Sequence, residues 1–202
     1  MAGLSSLILT CGVVADMDLL AAIVRVESGG NPLALAVNGT LELVRPPRAR
    51  DDAVRMARWL ASHGYNFDAG VAQVNSANFA RLGLDAASVF EPCANLRGAA
   101  IVLDECRGRA LQLGLRGELA DSAALSCYNT GHLTRGVANG YVAAVRAAYA
   151  RAVPSSSWRR DRARTEPAAS TFPRAARRPE VFAVAVREFV SLKLCESETR
   201  GG

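Results

Sequence analysis

A predominantly helical α+β fold with one small β-hairpin is predicted for this 202-residue chain. Half of the residues are apolar but only 6% are aromatic, and the apolar set is mostly Ala, Leu and Val, a composition that favours helices over an all-β sandwich. Apolar residues recur at helical spacing in several segments. Asn38-Gly39 stands between the runs LALAV and TLELV, where Asn-Gly between alternating apolar residues predicts a tight hairpin turn.

The length allows one core with an appendage, not two large domains. Residues 1–15 are apolar enough to resemble part of a signal segment, yet they lack a basic start and an evident cleavage site. A single folded domain is expected over residues 16–151. An Arg/Pro/Ser-rich linker over 152–179 is expected to be flexible. Residues 180–202 are apolar enough for a short helix or strand, with periodicity deciding for neither.

Leu20, Ile23, Val24 and Glu27 fall at i, i+3, i+4 and i+7, so the first domain helix carries an acid on its apolar face and should stop at Gly29-Gly30. Pro46-Pro47 breaks the chain. Asp51 or Asp52 is then placed to cap a helix running to about His63, with Val54, Ala57 and Ala61 inward. Residues 65–75 read as loop. Helices follow over about 96–113, with Ala100, Leu103, Cys106 and Ala110 inward, and over about 118–127. A single last helix is expected from about Val137 to Arg151.

The charge is localised. Lys193 is the only lysine, and residues 151–180 hold eight Arg against Asp161, Glu166 and Glu180, a surplus of five that equals the net charge of the whole chain. This argues against a nucleic-acid interface, because the charge lies in a Pro/Ser/Ala-rich segment without a reading motif. A solvated linker is the simpler reading of those arginines, and an anionic wall polymer, a membrane surface or a partner protein are the alternatives. No apolar run has the roughly 18 residues a transmembrane helix needs. The cysteines Cys11, Cys93, Cys106, Cys127 and Cys195 form no CxxC pair, and His63 and His132 complete no metal-ligand spacing, so no metal or other cofactor is expected. An oxidising compartment would allow two disulfides, and a reducing one would leave buried thiols.

Glu27 is the chemical focus. A carboxyl group on a buried helical face is costly as an anion, and the protonated form favoured there is what a general acid requires. A helix-end glutamate pointing to water is the competing reading, and the helix alone does not exclude it. The segments further on change the balance: Glu27-Ser28-Gly29-Gly30-Asn31-Pro32, then GYNFDAGVAQVNSANF around Gln73 and Asn75, FEPCANL around Cys93, and ALSCYNTG around Tyr128 and Asn129.

In this order the segments resemble the lytic transglycosylases, whose soluble catalytic domain is lysozyme-like (goose-type), and most of all the specialised members that serve type IV secretion and conjugation systems. The resemblance runs from about Cys11 to Tyr149. It implies that Glu27 is the catalytic acid and that Ser28 helps hold the centre. It also implies that Gln73, Asn75 and Asn129 contact the sugar, and that the hydroxyl of Tyr128 reaches the catalytic carboxyl. Amide side chains suit this work because each offers donor and acceptor.

Most glycosidases use two carboxylates. Here one acid is well placed, and the resemblance implies that it serves twice on peptidoglycan glycan strands, cleaving between N-acetylmuramic acid and N-acetylglucosamine and leaving a 1,6-anhydro end. Asp68 is the one candidate for a second carboxylate, which would make the chain a muramidase-type hydrolase, although a short acid beside Gly70 more readily organises the loop. A glycan-binding assembly module without catalysis is the rival from another class. With the resemblance come a periplasmic or envelope location, two expected disulfides, Cys11–Cys93 and Cys106–Cys127, with Cys195 unpaired, and secretion-apparatus proteins as partners through the tail.

Overall fold

The structure, a computed structural model, describes residues 2–13, 16–39, 41, 43 and 45–152. The linker, the C-terminal segment and Cys195 lie outside the described residues. The chain divides into two compact units, residues 1–102 and residues from 103 on, with the division falling inside one long helix.

The first unit begins with helix α1 (Ala2–Thr10), in the stretch expected to be a signal-like segment. It packs on helix α2 (Met17–Glu27) and has Ile8 fully buried. Asp16 caps α2 by accepting the Leu19 N–H, and Leu20, Ile23 and Val24 are buried as the periodicity requires. The helix ends at Glu27, and the Ser28 N–H closes the last turn on the Val24 carbonyl.

Helix α3 (Arg50–Ser62) follows. Neither aspartate caps it: Ala49 holds the N-cap position without a side-chain bond, and Asp52 instead pairs with Arg45 and Arg55. Val54 and Ala57 point inward, but Ala61 is exposed and Leu60 takes the inner position.

The sheet corrects the hairpin expectation. Strand β1 (Leu35–Val37) does not pair with the residues after Asn38-Gly39 but with β2 (Phe67–Ala69), and β2 pairs with β3 (Val74–Asn75), both antiparallel in the order β1-β2-β3. Leu41 and Leu43 belong to no strand. The tight hairpin is therefore β2–β3, inside the segment read as loop. Strands of three and two residues are too short to show alternation, and only the buried Phe67 and Ala69 flanking the outward Asp68 preserve the pattern. Phe67 meets Phe79 of the short α4 (Phe79–Leu82) edge to face, with ring centroids 5.7 Å apart.

A 3-10 turn at Ser88–Phe90 leads into helix α5 (Pro92–Gln112). Asp85 anchors that turn, its Oδ1 accepting from the Ser88 N–H at 2.6 Å, the Ser88 hydroxyl at 2.8 Å and the Ala87 N–H at 2.9 Å. These bonds, led by the Ser88 backbone, hold the carboxyl below the usual aspartate range. Cys93 in the first turn of α5 is bonded to Cys11 with Cα atoms 5.0 Å apart, tying the end of α1 to α5.

The second unit holds the end of α5, helix α6 (Gly117–Thr130), the short α7 (Arg135–Ala138) and α8 (Tyr141–Ala152). α6 runs beyond its expected end at Cys127, so Tyr128 and Asn129 are helical. The single last helix is in fact two, broken at Asn139-Gly140, where Gly140 has φ +85°. A disulfide joins Cys106 to Cys127 with Cα atoms 5.6 Å apart. No helix among the described residues is long and apolar enough to cross a membrane.

The Cys11–Cys93 bond closes 82 residues and the Cys106–Cys127 bond 21. Chain-entropy arguments give them about 4.5 and about 3.3 kcal/mol respectively. Replacing Cys11 and Cys93 together by Ser should therefore lower the urea midpoint more than replacing Cys106 and Cys127. Acidification adds a second dependence. Because the folded carboxyl of Asp85 titrates below its unfolded value near ~3.9, its contribution is present above that pH and is lost as pH falls through the folded value. Asp85→Asn should weaken the acid limb of the stability-against-pH curve measured by urea unfolding.

Candidate active site

The turn joining β2 to β3, residues 70–73, is unusual in being buried: Val71 is 2% exposed and Ala72 fully covered. A buried turn must have its backbone polar groups satisfied by the protein itself. Three side chains do this. Asn95, fully buried in the first turns of α5, accepts the Ala72 N–H at 2.8 Å and donates to the carbonyls of Ala69 and Val89, both at 2.9 Å. Gln73 turns its Nε2 back to the carbonyls of Gly70 at 2.9 Å and Ala34 at 3.0 Å. The Ser28 hydroxyl donates to the Val71 carbonyl at 2.5 Å.

Gly70 is required by space as well as conformation. Its φ is +82°, and a Cβ there would lie 2.2 Å from Asn95 Nδ2 and 2.4 Å from the Val89 carbonyl oxygen. Gln73, at φ +50°, is the one non-glycine residue with positive φ among the described residues. The strain of that conformation is held by the two bonds of its own amide.

The Ser28 bond brings the catalytic candidate to this turn. Glu27 is the last residue of α2 and half-buried, and Ser28, next in the chain, fastens the helix end to Val71 while accepting the Gly30 N–H at 3.1 Å. The expected acid and the expected sugar-binding Gln73 are thus joined through Ser28 within the first unit.

Asn75 is part of a row of polar side chains beside the turn. Its Nδ2 donates to Asn66 and Asp68, both at 2.8 Å, and its Oδ1 accepts from Asn66 at 2.9 Å and the Ala77 N–H at 3.0 Å. Asn38 completes the row, donating to Asn66 Oδ1 at 2.7 Å and Asp68 Oδ2 at 2.8 Å. Both Asp68 oxygens therefore accept from amides, the loop-organising arrangement. Asn75 must exchange a partner to bind a sugar through its Nδ2.

Tyr128 and Asn129 lie on the last turn of α6 in the second unit, Tyr128 half-buried and Asn129 exposed. The Cys106–Cys127 bond fixes the residue before them, and Asn139 Nδ2 donates to Asn129 Oδ1 at 2.9 Å. The Ser126 hydroxyl holds the following turn, donating to the His132 carbonyl and accepting the Gly136 N–H.

Asn95, Asn66 and Asn38 were not singled out for these roles by the sequence. Asn95 lay inside FEPCANL without a signal of burial, and Asn38 read as a turn residue. The available signal was Gly70, whose need for a close backbone neighbour requires a partner elsewhere in the chain.

A model of the transglycosylase SLT domain matches residues 13–149, more than half of the chain. The chain belongs to the transglycosylase SLT family. Similar curated relatives include the type IV secretion system protein virB1 of Brucella abortus (strain 9-941), 40% identical over 127 residues, which are 62% of this chain and 53% of the relative. The protein virB1 of Agrobacterium fabrum (strain C58) is 39% identical over 150 residues, 71% of this chain and 58% of the relative. That of Rhizobium radiobacter is 34% identical over 145 residues, 72% and 60%. The chain thus spans between half and two thirds of the length of these relatives. No solved structure matches. The SLT match covers Glu27, the buried turn and Tyr128 together.

Removing either clamp of the turn should be costly in proportion to its burial. Asn95→Ala removes three buried hydrogen bonds and should lower unfolding free energy by about 3 kcal/mol or more, whereas Ser28→Ala, at a half-buried bond, should lose about 1–2 kcal/mol. Urea denaturation of the two variants checks the order, and equal losses would contradict it.

Proposed function

We propose that the chain is a lytic transglycosylase that cleaves the β-1,4 bond between N-acetylmuramic acid and N-acetylglucosamine in peptidoglycan, with Glu27 as acid and then base. The observation that carries this reading is the Ser28–Val71 hydrogen bond, which fastens the end of α2 to the turn bearing Gln73.

In the first step Glu27 gives its proton to the glycosidic oxygen, which leaves as the 4-hydroxyl of N-acetylglucosamine. The acetamido oxygen of the muramic sugar stabilises the positive C1. In the second step the Glu27 carboxylate removes the proton from that sugar's own 6-hydroxyl, whose oxygen bonds to C1 as the acetamido group withdraws. Glu27 regains its proton, no water is consumed, and the product ends in a 1,6-anhydro ring. Gln73 is assigned to orient the sugar through its carbonyl end, since its nitrogen holds the turn. Tyr128 is assigned the supporting role and Asn129 the further sugar contact that the motif implies.

Asp68 as a second carboxylate is the less favoured arrangement, because both its oxygens are held by Asn38 and Asn75. The name of the Brucella relative supports a type IV secretion setting; the work assigned to this chain is local opening of the wall for a secretion or conjugation apparatus, in the periplasm or envelope. Apparatus proteins are the proposed partners.

Glu27→Gln should reduce release of anhydro-muropeptides from purified sacculi by about a thousandfold or more while the variant still sediments with sacculi. Mass analysis of the digest separates the reactions by one water. Reducing ends from the wild type would replace the lyase by a hydrolase, and equal release by the variant would remove Glu27 from the chemistry.

A further inference from the structure

The end of α3 carries three stacked aromatic rings outside the site described so far. Trp59 lies over His63 with centroids 4.3 Å apart and planes 25° apart, and over Tyr65 with centroids 5.7 Å apart and planes 19° apart. Even so stacked, Trp59 is 49% exposed and Tyr65 37%. His63 is also anchored from behind, its Nδ1 standing 2.8 Å from the Trp59 carbonyl oxygen and 3.1 Å from the Ser62 hydroxyl. The rings are held in place without being covered.

Their place along the chain is specific. The Tyr65 N–H is bonded to the Leu60 carbonyl at 3.0 Å, so the chain turns directly from the ring stack into Asn66 and β2. Asn66 is the hub of the polar row, exchanging amide bonds with Asn75 and accepting from Asn38. Among the described residues, Asn66 Nδ2 has a partner for one of its two N–H groups, leaving one donor on the residue next in the chain to Tyr65.

We propose that Trp59, Tyr65 and Asn66 form an outer subsite for a further N-acetylated sugar of the glycan strand, away from the bond that is cut; this rests on the reading of the chain as a glycan-cleaving enzyme. A pyranose ring has an apolar face of C–H groups and an equatorial rim of hydroxyl and acetamido groups. The aromatic surface covers the first and the Asn66 amide serves the second. A protein partner would call for a wider apolar patch. Among the described residues, the other exposed large apolar side chains belong to other elements, Leu9 to α1, Met17 to α2, and Ile101 and Leu111 to α5, while Arg50, Arg55 and Arg58 are the exposed long polar side chains of α3 itself.

The chain's two tryptophans make the test direct, since Trp158→Phe leaves Trp59 as the sole indole reporter. Peptide-free glycan strands are titrated into the full chain carrying Glu27→Gln and Trp158→Phe, where no turnover occurs. A saturable change in Trp59 emission is expected. Affinity measured by sedimentation should weaken about tenfold in Trp59→Ala, a factor in the range of one aromatic contact. Trp59→Phe should recover most of it, and Tyr65→Ala should weaken binding in the same direction. Emission that does not respond, or an alanine variant binding within twofold of its parent with an unaltered far-ultraviolet spectrum, would overturn the subsite. Should the wild type release no anhydro product while Trp59 still responds, the proposed reaction would fall and the sugar site would stand.

Discussion

The buried turn between β2 and β3 is the constraint on which the first unit depends. Hairpin turns ordinarily sit in water, which satisfies their open backbone groups. Here Val71 and Ala72 are removed from solvent, and the groups that water would have served are served by Asn95, Gln73 and Ser28 from three different parts of the chain. Leaving such a group bare costs about 1–3 kcal/mol, so each side chain fixes the turn and is fixed by it. Gly70 completes the arrangement, because only a residue without Cβ admits Asn95 and the Val89 carbonyl together.

That constraint explains a further arrangement. Asn95 belongs to the first turns of α5, which Cys93 ties to Cys11, so the clamp on the turn rests on a covalently fixed helix start. From another part of the chain, Ser28 fastens the end of α2 to the same turn. A glutamate on the last turn of a free helix would fray with it; one whose neighbour is bonded to a buried turn has a defined position. Proton transfer to a particular oxygen demands that definition, since a displacement of about 1 Å can cost about a hundredfold in rate.

The sequence made the functional helix legible because its signals are local: apolar spacing through Leu20 and Val24, an acid on that face, and glycines after it. Family resemblance supplied the candidate companions of Glu27, which no local rule links across forty or a hundred residues. What failed did so for physical reasons. The Asn38-Gly39 signal made no hairpin, because β1 found its partner some thirty residues on, where the strand is three residues long and its pattern is invisible. The helix break at Asn139-Gly140 was masked because apolar spacing continues across it through Val137, Tyr141 and Val145. Asn95 was unreadable as a clamp, since a buried asparagine and an exposed one look alike until the groups it must satisfy are known.

In the proposed reading, the polar row and the ring stack divide the work of holding a polymer in different ways. Asn38, Asn66, Asp68 and Asn75 are bonded to one another, so a sugar that enters the row largely exchanges one hydrogen bond for another. Such exchanges are worth about 0.5–1.5 kcal/mol each at best, which orients a sugar but holds it weakly. Affinity must then come from apolar surface removed from water, and beside the row Trp59 and Tyr65 offer it. An enzyme acting within a long strand gains from this separation: grip placed on a neighbouring sugar leaves the reacting ring free to distort, whereas equally tight amides at the cut would stabilise the substrate as much as the transition state.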